Sequence, residues 1–297
     1  MSKTQAWISS LRLRTLPLAL SSIGMGTILA IDYRLFEWKI FILIAITAIF
    51  LQILSNLAND YGDAIHGADS VDRVGPKRGL QSGEITLPQM RNAIIFCALV
   101  ALISGIWLLK ETVAGYTFII FLVLGLLCIA AAIRYTVGKK PYGYAGLGDI
   151  SVFVFFGMVG VIGTFYLFTH GFKWKEVLPA CAMGFLSAGV LNINNMRDHD
   201  GDLAAGKKTL VVRIGLESAK RYHAFLIIGA FVCITWFILM QMVSYYALVY
   251  LVTAPLFFKH LTGIMKEESQ NMDKYLKQLS LTTLLLVISF GIGIMLQ

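Results

Sequence analysis

Eight stretches of the sequence contain no Asp, Glu, Lys or Arg at all: residues 15–31, 40–59, 92–109, 113–133, 150–169, 177–196, 222–258 and 278–296. A helix needs about 20 mainly apolar residues to cross a hydrocarbon core about 30 Å thick. Seven of the stretches fit one crossing each. The stretch at 222–258 would extend to about 54 Å as one helix, too long for a single span. Its polar pause, Gln241-Met242-Val243-Ser244, divides it in two, so nine transmembrane helices are expected. Composition agrees: 57% of the 297 residues are hydrophobic, 14% are charged and the mean hydropathy is +0.74. A soluble fold could not cover that much apolar surface. The fold class expected is an all-α membrane protein, residues 1–297 forming one bundle around a central chamber.

The first apolar stretch follows Arg12 and Arg14 without a small-residue cleavage site, so it reads as a retained span rather than a secretory signal. The four cysteines, Cys97, Cys128, Cys181 and Cys233, lie within spans at wide separations. They read as small core residues rather than disulfide or zinc partners.

With nine spans the connections alternate between two faces. One face carries the N-terminus and the segments near 60–91, 134–149, 197–221 and 259–277. It holds 20 of the 25 basic residues, and the positive-inside rule places it in the cytoplasm. The net charge of +8 therefore reads as orientation in a lipid bilayer and gives no reason to invoke nucleic acid. The same face holds 13 of the 17 acidic residues, which orientation alone does not require.

Two acidic segments account for much of this excess. The first runs Asn56-Leu57-Ala58-Asn59-Asp60-Tyr61-Gly62-Asp63, followed by Asp69 and Asp72; the second runs Asn194-Asn195-Met196-Arg197-Asp198-His199-Asp200-Gly201-Asp202. On helices, Asn56, Asn59/Asp60 and Asp63 share one face, as do Asn195, Asp198 and Asp202. Basic residues follow each: Arg73, Lys77 and Arg78 after the first, Lys207, Lys208 and Arg213 after the second. Carboxylates one turn apart repel unless a cation binds them. Mg²⁺ suits such oxygen ligands and commonly shares them with phosphate oxygens, which Lys and Arg also bind. Acid for a metal and base for a phosphate, presented twice, describes a diphosphate site.

At these residues the chain resembles the UbiA superfamily of intramembrane prenyltransferases, and within it the 1,4-dihydroxy-2-naphthoate polyprenyltransferases. The segments carrying the resemblance are NLANDYGDAIHGAD at 56–69, GPKRGLQSGEIT at 75–86, GKKPYGYAGLGDISVFVFFG at 138–157 and NNMRDHDGDLAAGKKTLVVRIG at 194–215, with Arg14-Thr15-Leu16-Pro17 before them. Beyond 215 only helical hydropathy remains similar. The superfamily's first motif ends in an Asp where this chain has Gly67; Asp69 is the available substitute.

The resemblance implies a Mg²⁺-dependent transfer of a polyprenyl group from polyprenyl diphosphate to 1,4-dihydroxy-2-naphthoate, with loss of the ring carboxylate as CO₂. The implied metal ligands are Asp60, Asp63, Asp69, Asp198 and Asp202. Lys77, Arg78, Lys207 and Lys208 would stabilise the leaving diphosphate. The acceptor carboxylate wants a cation, for which Arg14, Arg134, Lys139 and Lys140 are open alternatives. Tyr142 and Asp149 would orient the acceptor, and Asn56, Asn59 and Asn195 would contact substrate. Another aromatic acid such as 4-hydroxybenzoate is the alternative acceptor.

Two other classes fit less well. A CDP-alcohol phosphatidyltransferase needs Ala-Arg soon after an Asp-Gly pair, but Asp200-Gly201 leads to Ala204-Ala205. An ion-coupled transporter places ionisable residues near the bilayer midplane, whereas these carboxylates gather at one face. Oligomeric state is not encoded in any of these features.

Overall fold

The computed structural model describes residues 1–67, 78–241 and 245–296. All regular structure among them is helical. Nine helices among the described residues are long and apolar enough to cross a membrane, as the charge-free stretches require. The protein is a multi-pass integral membrane protein.

A short helix, α1 (Lys3–Leu11), opens on a capping box in which Ser2 and Gln5 satisfy each other's backbone N–H groups. Arg12 breaks it, standing in the left-handed region at φ 48°. After one 3₁₀ turn the chain enters α2 (Leu16–Asp32), with Pro17 in its first turn where no N–H is needed. The second span, α3 (Trp38–Ile65), has 28 residues and is about 42 Å long. It overshoots the hydrocarbon, so its last turns, Asn56 to Asp63, emerge in polar surroundings. Gly67 ends it at φ +67°.

α4 (Leu87–Thr112) starts from a second capping box, Thr86 with Gln89, and packs along α3. α5 (Gly115–Arg134) buries no residue fully and is the most lipid-facing span. α6 (Gly148–Thr169) contains eleven π-helical residues, Phe153–Gly163. Such wide turns are rare and often border functional sites. Here Gly157 lets α6 approach α7 (Val177–Arg197) closely, since a Cβ on it would stand 2.6 Å from the Ala180 carbonyl oxygen.

α7 is the most buried span. It is followed by α8 (His199–Ala204), α9 (Leu210–Ile214) and α10 (Leu216–Gln241). The polar pause divides the long apolar stretch as expected: α10 ends at Gln241, and the chain resumes as a 3₁₀ segment, Tyr245–Thr253, before α11 (Ala254–Lys266). α12 (Asp273–Met295) packs on that 3₁₀ segment, α2 and α7.

The two ends of the bundle differ as the charge count implies. Lys39 pairs with Glu111 at 2.7 Å and Lys175 with Gln241 at 2.5 Å at one end, where Trp38, Tyr116 and Trp174 stand exposed like an interfacial belt. The acidic segments lie at the other.

Candidate functional site

The end of α3 places Asp60 and Asp63 on one face, and both are buried. Burying a carboxylate costs several kcal/mol unless it is paired, and cations from distant segments supply the pairing. Arg12 Nη2 lies 2.6 Å from Asp60 Oδ1, and Arg78 Nε lies 3.2 Å from the same oxygen. Arg78 Nη1 reaches Asp63 Oδ2 at 2.5 Å. Lys207 Nζ lies 3.0 Å from Asp63 Oδ1 and 3.2 Å from Asp202 Oδ1, so one ammonium bridges the two acidic segments.

The 135–147 loop closes over this cluster. Tyr144 donates its hydroxyl to Asp63 Oδ1 at 2.6 Å, under the Lys207 ammonium, which stands 4.7 Å from the ring centre. Burial and the adjacent Asp63 carboxylate push the Tyr144 phenol well above its ordinary value, so it remains a donor. Thr136 donates to the Ala58 carbonyl, and Gly62 lets the loop sit directly on α3 because a Cβ would meet Thr136 at 2.6 Å. Gly146, at φ +80°, passes close to the Lys208 carbonyl oxygen, while Lys208 N–H donates to the Tyr144 carbonyl oxygen. Burial raises the Asp202 carboxyl to about 6, against the opposing pull of Lys207.

Beneath the charges lies a cavity of about 280 Å³. Arg12, Asn56, Asn59, Asn194, Thr15 and Gln52 form its polar part. Asn56 is locked there, donating to the Leu11 carbonyl and to Thr15 Oγ1, and accepting from Gln52. Its body is apolar and aromatic, with Phe155, Phe156 and Val159 of the π-helical segment, Tyr135 and Tyr142. A second, almost wholly apolar cavity of about 170 Å³ shares Ile23, Ala48, Leu51, Cys128, Val159 and Gly160 with the first, so the two adjoin.

The sequence of this chain matches the profile of the UbiA prenyltransferase family over residues 19–284. The chain belongs to the UbiA prenyltransferase family. It is 47% identical over 296 residues to the 1,4-dihydroxy-2-naphthoate octaprenyltransferase of Escherichia coli strain K12, covering 97% of this chain and 96% of that protein. A UbiA homologue from Aeropyrum pernix K1 has the same fold at a TM-score of 0.67 and 20% identity, covering 94% of this chain and 97% of that one. A UbiA homologue from Archaeoglobus fulgidus, solved with geranyl diphosphate (GPP) and Mg²⁺, superposes at 0.65 with 15% identity, covering 98% and 100%.

Within this UbiA-family fold the site residues expected from sequence divide into groups. Asp60, Asp63, Asp202, Arg78 and Lys207 come together. Asp198 stands at the junction of α7 and α8, where its carboxylate turns to Arg197, which grips it at 2.8 and 2.7 Å, while its carbonyl oxygen accepts from the Asp202 N–H one turn on. Asn195 is buried, and Asn194 lines the cavity in its place.

Arg14 is held by Asp273 at 2.5 Å. Arg134, Lys139 and Lys140 are exposed and do not line the cavity, and the Lys208 side chain is exposed. Tyr142 does line it, with its hydroxyl donating to the Ala131 carbonyl and lying 3.0 Å from Ser151 Oγ. Asp149 is buried beside Tyr222. Asp69 and Lys77 lie outside the described residues.

Sequence reasoning missed Arg12, Tyr144, Asn194 and Asp273. Arg12 and Arg14 are two residues apart and both basic; only the left-handed turn at Arg12 aims one at Asp60 and leaves the other for Asp273. Tyr144 stands within the 138–157 segment, but nothing in that segment separates it from Tyr142.

Among the described residues no group of three His, Cys, Asp or Glu could by itself hold a metal ion. The donor set suits a hard divalent cation that takes part of its shell from diphosphate oxygens. It is all oxygen, and no described residue donates a hydrogen bond to the buried Asp60 Oδ2, an acceptor that a metal ion would satisfy.

Proposed function

We propose that this UbiA-family protein transfers a polyprenyl group from a polyprenyl diphosphate to 1,4-dihydroxy-2-naphthoate, releasing diphosphate and CO₂ and leaving demethylmenaquinol. The observation that carries this reading is the pair of adjoining cavities, charged at the mouth of the first and apolar within. A polyprenyl diphosphate has that same division. Near full-length identity of 47% to the Escherichia coli enzyme supports the naphthoate as acceptor. The charge asymmetry supports a cytoplasmic N-terminus and active site.

Asp60, Asp63, Asp198 and Asp202 would hold Mg²⁺, with Asp69 as a further candidate. Bound Mg²⁺ supplies charge neutralisation as the diphosphate departs. Arg78 and Lys207 then exchange carboxylate partners for diphosphate oxygens, which is electrostatic stabilisation aimed at the charge that develops.

The prenyl C–O bond breaks with its electron pair passing to diphosphate. The allylic cation left behind sits among Phe155, Phe156, Tyr135 and Tyr142, whose ring faces attract cations and whose packing excludes water. The ring carbon bearing the carboxylate attacks, and CO₂ then leaves without the electron pair of its C–C bond, which stays on the ring and restores aromaticity. Arg12, the one Lys or Arg among the described residues that lines the cavity, meets the acceptor carboxylate, in place of Arg14, Arg134, Lys139 or Lys140. The prenyl tail continues into the second cavity.

The test is to incubate purified protein in lipid with labelled prenyl diphosphate and either 1,4-dihydroxy-2-naphthoate or 4-hydroxybenzoate, with and without EDTA. A prenylated, decarboxylated naphthoate that disappears with EDTA is expected. Prenylated 4-hydroxybenzoate alone would overturn the acceptor, and turnover undiminished by EDTA would overturn the metal.

A further inference from the structure

Asp273 opens α12, far beyond residue 215, where the acidic and basic motif segments end, though still within the matched family region 19–284. Its carboxylate is nevertheless clasped by two arginines from those segments. Oδ2 accepts from Arg14 Nη1 and Oδ1 from Arg197 Nη1, each at 2.5 Å. The Arg197 side chain is almost fully buried, at 1% exposure. Its Nε and Nη2 donate to the two oxygens of Asp198, and Nη2 donates also to Asn194 Oδ1 at 2.9 Å.

We infer that Asp273 is a positioning residue for the second acidic segment: through Arg197 it sets the orientation of Asp198 and keeps that carboxylate available to a divalent cation. The inference rests on the assignment of Asp198 as a metal ligand made above.

Two physical effects act in the same direction. The guanidinium is a rigid plane with donors in a fixed fork. Asp198 and Asn194 both sit at the end of α7 and turn with it, so they cannot orient Arg197 relative to the rest of the site. Asp273 supplies a reference from another helix, and Arg14 ties that helix in turn to the N-terminal turn. One turn further along α12, Leu276 lines the first cavity, so the anchor and the cavity wall move together.

The second effect is charge. Arg197 now divides its positive charge between two carboxylates. Without Asp273 that charge would bear on Asp198 alone and compete with a metal ion for it. Groups that orient a ligand from behind commonly change metal affinity 10–100-fold. The Asp273 side chain is 37% exposed, so its ion pairs contribute little to stability by themselves. Its effect on the metal site is therefore separable from its effect on folding.

The experiment titrates Mg²⁺ against purified, substrate-free protein and follows thermal stability, since an ion that binds only the folded state raises it in proportion to site occupancy. The Mg²⁺ dependence of turnover is measured alongside. For Asp273→Asn the Mg²⁺ midpoint should rise about tenfold or more, Asp273→Glu should recover most of it, and kcat at saturating Mg²⁺ should approach that of the unmodified protein. Arg197→Lys keeps the charge but loses the fork, and should shift the midpoint in the same direction.

An unchanged Mg²⁺ midpoint in Asp273→Asn, with or without a lowered baseline stability, overturns the inference. An unchanged midpoint in Arg197→Lys does the same should Asp273→Asn not fold. An unchanged midpoint in Asp198→Ala overturns the ligand assignment and the inference together. A shift in Asp198→Ala without one in Asp273→Asn overturns the inference alone.

Discussion

Lys207 Nζ stands 3.0 Å from Asp63 Oδ1 across 144 residues of sequence. The same ammonium touches Asp202, so two carboxylates from the two acidic segments share one cation. That is the electrostatic demand a divalent metal would also answer. Replacing Lys207 with Met leaves the two carboxylates without the cation they share, only Asp63 keeping a partner in Arg78. Metal-free Lys207→Met should lose thermal stability, and Mg²⁺ should raise its melting temperature more than it raises that of the unmodified protein. Melting curves with EDTA and with Mg²⁺ check this; an equal Mg²⁺ increment in both proteins would count against it.

Asp60→Ala removes the carboxylate whose Oδ2 accepts nothing from the described residues, while Arg12 and Arg78 keep other partners or the cavity mouth. Prenyl transfer should fall at least 100-fold for Asp60→Ala and for Asp198→Ala, with the folded protein still recovered. A purified variant of either kind with full activity would refute the assigned roles.

The Asp202 carboxyl, raised from 3.8 to about 6, gives a pH dependence with a definite sign. Between about pH 4 and 6 the folded state holds a proton that the unfolded state has released, so this group makes stability fall as pH rises through that window and become level above it. Mg²⁺ needs the deprotonated form. Its apparent affinity should therefore weaken about tenfold for each pH unit below about 6 and change little above. Mg²⁺ titrations at several pH values measure the slope, and Asp202→Asn should flatten it.

A Cβ built on Gly163 meets nothing within 4 Å, and this glycine lines the second cavity. Gly163→Leu should fill part of that chamber without disturbing helix packing. KM should rise several-fold for long prenyl diphosphates and stay nearly constant for geranyl diphosphate. Competition between long and short donors reads the ratio directly; equal effects on both would place the tail elsewhere.

Gly62→Ala tests the loop that carries Tyr144. The new methyl would press on Thr136 at 2.6 Å, and the clash includes the Thr136 carbonyl oxygen, which a side-chain rotation cannot relieve. Activity should fall about tenfold or more as Tyr144 leaves Asp63, with a fall in melting temperature. Tyr144→Phe should reproduce the loss of activity with a much smaller change in melting temperature.

Much of the architecture was legible because bilayer insertion is decided locally. A run without charge must span, a polar pause must end a span, and the nine helices follow, including the division after Gln241. The acidic segments were legible as chemistry, since paired aspartates followed by Lys and Arg have few other uses at a membrane face. The helix junction at Asp198, and the grip of Arg197 on its carboxylate, were not legible, because a periodicity argument assumes an unbroken helix. Arg14, Arg134, Lys139 and Lys140 could not be ranked for the same reason that Arg12 was missed: a basic residue near an interface looks alike whether it faces water, a carboxylate or a cavity.

Sequence by itself determined the spans, the charge asymmetry of the two faces and the residue types at the site, because each follows from the transfer free energies of neighbouring residues. The tertiary structure alone decided which cation meets which carboxylate: Arg12 with Asp60, Lys207 with Asp63 and Asp202, Asp273 with Arg14 and Arg197. Coulomb energy depends on distance in space, and residues as far apart in the chain as Arg14 and Asp273 acquire that distance only when the helices pack.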